Sequence, residues 1–177
     1  MTTDDTQYVT LGDGRAIALR PIRADDGPAL QRFHRHLSRT SVHYRFFGGK
    51  PTLSQERARY FTHLDGHDRF ALVALDPAQP IEIIGVVRFD RIPGTDQAEY
   101  AAVIADAWQH QRLGTLLTQQ LIAAARKRGI QHLFALVLPD NLPMQRLLLH
   151  LGLPERTSWE DGVKRMELDL RVGAEQV

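Results

Sequence analysis

Two groups of residues in this chain could do chemistry together. One is Glu99, a carboxylate at the start of the apolar run EYAAVIA. The other is the polar turn after that run, Gln109-His110-Gln111-Arg112-Leu113-Gly114-Thr115, which opens a long amphipathic segment. A helix that begins at such a turn has unpaired backbone N–H groups and presents the positive end of its dipole. That combination attracts phosphate. Gly114 permits close backbone approach, and Arg112 and Gln109 can add side-chain donors to a diphosphate. Glu99, upstream on the same strand, is either a carboxylate able to take a proton from a nucleophile or a solvent-facing strand residue at the domain rim.

The spacing has a plainer explanation too, a helix start whose glycine serves helix–sheet packing. Other nucleotide sites fit less well. No Gly-Lys-Ser or Gly-Lys-Thr closes the turn as in a P-loop, and Gly114 stands without the further glycines of a dinucleotide fingerprint. The eight histidines form no HExxH and no compact ligand group, so no metal is expected and they read as surface residues. Cysteine is absent, which removes thiolate nucleophiles and disulfides and fits a reducing, cytoplasmic setting.

These residues must be held by elements legible from pattern. YVTLGDGRAIALRPI reads as two strands joined at Gly12-Asp13-Gly14. Ala24-Asp25-Asp26 begins a helix through Leu37, with Leu30, Phe33 and Leu37 at helical spacing. Residues 38–50 read as a loop with an aromatic middle, Tyr44, Phe46 and Phe47 acting as core plugs. Ser54 caps a second helix carrying Tyr60 and Phe61 towards the core. FALVALD and IEIIGVVRFDR are central strands, and Gln97–Ala105 is a third. A helix over Leu113–Arg128 closes at Gly129. His132–Leu138 is a strand, Asn141 starts a last helix, and a hairpin turns at Asp161-Gly162. Residues after Arg171 read as a frayed end. The layering is α/β, of the α+β kind: a central mixed sheet with helices on both faces. Length and the absence of linkers or repeats suit one domain spanning 1–177.

The formal net charge of +1 provides no field for nucleic acid or an anionic membrane. No apolar run reaches membrane-spanning length, and the polar, acidic MTTDDTQYVT is no secretory leader.

The run WQHQRLGTLLTQQLIAAARKRGI resembles motif A of the GNAT acyltransferases, Gln/Arg-x-x-Gly-x-Gly/Ala. Gln109 matches the first position and Gly114 the last, and Arg112 replaces the central glycine. LRPIRADD, YRFFGG, HDRFALVALD, IIGVVRFDR and NLPMQRLLLHLGL follow the family's order, from about Val9 to Leu170. In detail the likeness is to the GNAT domain of Pat-type protein lysine acetyltransferases.

The resemblance implies a mostly antiparallel sheet and acetyl-CoA as co-substrate. The CoA diphosphate would rest on the turn from Gln109 through His110, Gln111, Arg112, Leu113 and Gly114 to Thr115. Its pantetheine would pair with backbone at Val103, Ile104 and Ala105, where a bulged strand splays from His132–Leu138. Asn141 and Met144 would border it. Glu99 matches the family's general base. Tyr44 and Arg45 border the acceptor. The tyrosine that protonates the leaving thiolate in many relatives corresponds to Leu148 here. The implied activity is direct transfer of an acetyl group to a primary amine, a protein lysine by the Pat likeness. A non-catalytic acetyl-CoA sensor and a small-amine acetyltransferase stay open. The partners are then an amine acceptor and, through the hairpin's edge strand, a second copy at most: monomer or homodimer.

Overall fold

The computed structural model describes residues 5–48 and 52–173. Expectations for the start of the N-terminal segment, the loop's last residues Gly49 and Lys50, and the far C-terminal end lie outside them.

One eight-stranded sheet runs in the order β1-β2-β3-β4-β5-β6-β8-β7. Its strands are β1 (Gln7–Thr10), β2 (Ala16–Pro21), β3 (Arg69–Leu75), β4 (Ile83–Arg91), β5 (Gln97–Ile104), β6 (His132–Val137), β7 (Glu155–Glu160) and β8 (Val163–Asp169). Every neighbouring pair is antiparallel except β5–β6. The helices are α1 (Gly27–Arg35), α2 (Arg39–Phe46), α3 (Gln55–Thr62), α4 (Leu113–Lys127) and α5 (Leu142–Leu149).

Two apolar clusters sit on opposite faces of the sheet. Leu113, Leu117, Leu121 and Ala125 of α4 and Leu148 of α5 pack on Val87, Phe89, Ala98 and Tyr100. Ala29, Leu30 and Phe33 of α1 and Ala58 of α3 pack on Val73, Ile83 and Val86. β3 and β4 are buried almost throughout, as strands covered on both faces must be. Gly85 has a packing reason: a Cβ there would lie 2.9 Å from Ile104 and 3.0 Å from Leu117. Gly129 ends the α4 region at φ 74°, the left-handed conformation its position called for.

Several local expectations are corrected. Residues 39–46 of the expected loop are helical, with Ser38 Oγ accepting the Ser41 N–H as the N-cap. Val42 is the one apolar residue this helix fully buries, so no periodic stripe announced it. Phe47 is 43% exposed at the left-handed C-cap rather than a core plug. Tyr60 is exposed, its ring 4.0 Å beneath the Arg69 guanidinium. His34 is buried against Phe46 instead of lying on the surface. Asp26 occupies the N-cap position of α1 but its carboxylate makes no capping bond there, accepting instead from both terminal nitrogens of Arg20 and from the Arg23 amide.

Candidate functional site

β5 and β6 are adjacent but pair only over Gln97–Glu99 with His132–Phe134. Beyond Glu99, β5 continues to Ile104 and β6 to Val137 without pairing, so the strands part. A cleft of about 260 Å³ enters this gap. Its walls include Glu99, Tyr100, Ala101 and Ala102 from β5, Ala135 to Val137 from β6, and Asn141 and Met144 from the start of α5. Helix α2 covers one side through Tyr44 to Phe46, and Tyr44 Oη reaches across to the Asp140 carbonyl at 3.1 Å. The structure therefore brings together Glu99, Asn141, Met144, Tyr44 and Arg45, drawn from three separated stretches of chain.

The expected bulge in β5 is absent. Its register with β4 runs unbroken from Ala98↔Arg91 to Ile104↔Gly85, and the one shift beside it lies between Ala74 and Leu75, where β3 meets β4. The pairing side follows from this. Ala105 N–H bonds the Ile84 carbonyl at 2.8 Å, and backbone polar groups alternate sides along a strand. Val103 and Ala101 consequently serve β4, while Tyr100, Ala102 and Ile104 turn their backbone groups to the gap. Of Val103, Ile104 and Ala105, only Ile104 is directed there. Val103 and Ala105 turn their N–H groups to β4 instead, and Ala102 joins Ile104 at the gap.

The turn into α4 has an unusual backbone. His110 has φ 59° and Arg112 φ 66°, and Arg112 is the N-cap of α4 with no side-chain cap. A left-handed residue followed by a helical one turns successive N–H groups into a concavity that suits an anion. The motif's glycine at this position thus has a conformational reason, since a side chain in this region costs about 1–2 kcal/mol. Arg112 and His110 are exposed beside the turn, Leu113 is buried beneath it, and Gly114 and Thr115 start the helix. Gly114 also serves packing, because a Cβ would lie 3.0 Å from Leu147.

Gln109 is not a free phosphate donor. Its amide group bonds the Ile104 carbonyl at 2.9 Å and Ser41 Oγ at 3.0 Å. Gln111 accepts from Arg15, whose guanidinium lies 4.6 Å from the centre of the half-buried Trp108 ring. The β1–β2 hairpin therefore props the turn from outside.

Sequence reasoning missed the anchor of α2. Asp106 accepts from Ser38 N–H at 2.9 Å, Ser38 Oγ at 2.6 Å and Ser41 Oγ at 2.9 Å. Partial burial pushes this carboxyl up, but the serine hydrogen bonds outweigh it and hold Asp106 below the usual carboxylate range. A depressed folded-state value gives stability that is present above the unfolded value, near 3.9, and is lost as pH falls through the folded one. Asp106→Asn should flatten that acid limb, below about pH 4, and weaken α2 by on the order of 1 kcal/mol, since solvent reaches the group. Amide exchange in α2 measured against pH checks this, and unchanged protection would contradict the anchor. A serine pair with an aspartate far along the chain carries no local signature.

Glu99 is exposed on the cleft wall, opposite Asp90 across the β4–β5 pair. Its face of the sheet also carries Arg88, and Arg45 interacts with it electrostatically. Asn141 is buried and caps α5, its Oδ1 accepting the Met144 N–H at 3.2 Å. Leu148 packs in the main core, one turn beyond Met144. Tyr100 Oη is buried against Thr118 Oγ1 at 2.7 Å, and burial pushes its hydroxyl well above its ordinary value. Among the described residues no group of three or more His, Asp or Glu could hold a metal, and no helix is long and apolar enough to cross a membrane.

The family model for the acetyltransferase (GNAT) domain matches residues 16–154. The chain is similar in structure to the GNAT domain of Streptomyces lividans PAT, with TM-score 0.87 and 36% identity, covering 96% of this chain and 99% of that one. It is 28% identical over 156 residues to acetyltransferase PA5475 of Pseudomonas aeruginosa, covering 88% of this chain and 84% of that protein. It is 29% identical over 146 residues to acetyltransferase Pat of Mycolicibacterium smegmatis, covering 81% of this chain and 43% of that longer protein.

Proposed function

Because the chain belongs to the acetyltransferase (GNAT) family, we propose that it transfers the acetyl group of acetyl-CoA to a primary amine, a protein lysine, with Glu99 as general base. The observation that carries this reading is the parting of β5 and β6 beside Glu99. The backbone groups of Ala102 and the N–H of Ile104, turned to the gap while the Ile104 carbonyl is held by Gln109, suit an extended chain bearing amide groups, which could lie there as an added strand. The concave amides at Arg112 to Thr115 suit a diphosphate at the helix start. A CoA ester has both features.

In the reaction, the amine nitrogen forms a bond to the thioester carbonyl carbon and gives up a proton. Glu99 takes it directly or through a water. A backbone N–H turned into the gap stabilises the carbonyl oxygen as it becomes negative. The carbon–sulfur bond then breaks and the thiolate leaves. Leu148 donates nothing, and a CoA thiolate is stable enough to depart without a dedicated acid. Among the described residues the cleft walls hold no serine or cysteine as a covalent nucleophile, which supports direct transfer. Acetyl-CoA as co-substrate and the absence of cysteine from the sequence support a cytoplasmic setting.

Release of free thiol from acetyl-CoA, measured with a panel of lysine peptides, polyamines and other small amines, tests the proposal. Amine-dependent release with acetylated product supports it. Micromolar CoA binding with no turnover on any amine would favour the sensor reading, and turnover confined to small amines would move the acceptor away from protein.

A further inference from the structure

The wall around Glu99 has more positive charge than its own carboxylates balance. Arg45, Arg57, Arg69 and Arg88 converge there, against Asp90 and Glu99. Asp90 is already engaged by Arg69 at 2.8 Å and Arg88 at 3.1 Å. Arg45 and Arg57 both line the cleft with Glu99. Among the described residues neither has an ion pair or a side-chain hydrogen bond; both lie instead against aromatic rings. Arg45 is 4.9 Å from the centre of Phe46, and Arg57 is 5.5 Å from that of Phe61. Ring contacts hold the planar guanidinium groups but leave their N–H donors unused. Every fully buried side-chain nitrogen or oxygen among the described residues has a partner, so those spare donors reach solvent, and both side chains line the cleft.

We propose that the acceptor carries a carboxylate close to its amine, and that Arg45 and Arg57 receive it while Glu99 faces the amine. For a protein acceptor this means an Asp or Glu neighbouring the target lysine. The inference rests on the acetyl-transfer reading and names the substrate class of the same cleft. Guanidinium forks match carboxylates in shape and charge. Arg45 is also poorly compensated: burial first, then the Arg88 cation beside it, pushes its pKa down to about 10. An arginine still keeps its charge at neutral pH, so a neighbouring anion is what relieves it. The diphosphate turn, Arg112 to Thr115, is not part of the cleft wall, which separates this pair from the CoA phosphates.

The test compares kcat and KM on peptides holding one lysine flanked by Glu, by Ser or by Arg, with L-lysine and its decarboxylated analogue cadaverine as small acceptors. The Glu-flanked peptide should exceed the Arg-flanked one in kcat/KM by about tenfold or more, mainly through KM. Arg57→Gln together with Arg45→Gln should collapse that ratio towards one, and Arg57→Glu should invert it. CoA affinity and melting temperature report whether the variants fold; Arg57→Gln by itself serves if the double variant does not. Equal rates on all flanks, or a preference that survives Arg57→Gln and Arg45→Gln, would overturn the proposal. A preference for L-lysine over cadaverine with every peptide ignored would keep the carboxylate and assign it to a free amino acid. Transfer to no amine at all would bring down the acetyl-transfer reading, and this inference with it.

Discussion

Glu99→Gln is expected to lower turnover by roughly a hundred- to ten-thousand-fold, the usual contribution of a positioned general base, with little change in CoA affinity. The two carboxamide and carboxylate side chains are nearly the same shape, so binding surfaces survive while proton acceptance is lost. A lysine amine is almost wholly protonated at neutral pH, with a reference pKa near 10.4. The carboxylate is therefore asked to make the nucleophile, not merely to hold it. Glu99 is exposed on the wall of the cleft, so water can carry the proton between them. Steady-state kinetics with CoA binding measured in parallel decides the matter. Full turnover in the variant would remove Glu99 from the mechanism. A matched loss of CoA affinity would make it a binding residue instead.

Gly114→Val should cost about 1–3 kcal/mol of stability, the range for forcing extra carbon into a filled space, and should weaken CoA binding as well. The first added carbon would already sit 3.0 Å from Leu147 and 3.5 Å from Ile104. A branched side chain adds two more carbons at the point where α4, α5 and the end of β5 meet. Accommodation requires the start of α4 to lift, and the amides proposed to hold the diphosphate are on that same turn. Gly114→Ala is the gentler probe, since Leu147 can yield by its flexible tip. Denaturant unfolding with CoA titration on both variants would show the two losses growing together. If Val is tolerated with unchanged affinity, the turn does not depend on this contact.

Much of the architecture was legible because its signals are local. Continuous apolar runs marked β3 and β4, Gly129 marked the end of α4, and Asp161-Gly162 marked the last hairpin. Helix α2 was not legible. Its residues, RTSVHYRF, have no apolar stripe, and its start is held by Asp106, which is remote in sequence. The same helix brings Tyr44 and Arg45 to the cleft, residues that the family resemblance named although their pattern read as a loop.

By itself the sequence determined which residue types could act: an upstream carboxylate, a helix-opening turn with Gly114, and a strand–helix–strand unit to carry them. Those are properties of neighbours along the chain. Only the tertiary structure decided where β5 leaves β6, which backbone edges face the gap, that Gln109 is tied to Ser41 and Ile104, and that Arg45 and Arg57 meet beside Glu99. Each depends on the relative placement of segments far apart in sequence, set by packing on both faces of one sheet, and no local pattern encodes that. Arg112 shows both levels at once. Its identity is a departure visible in the motif, while its left-handed backbone, the reason a glycine would suit that place, exists only in the folded turn.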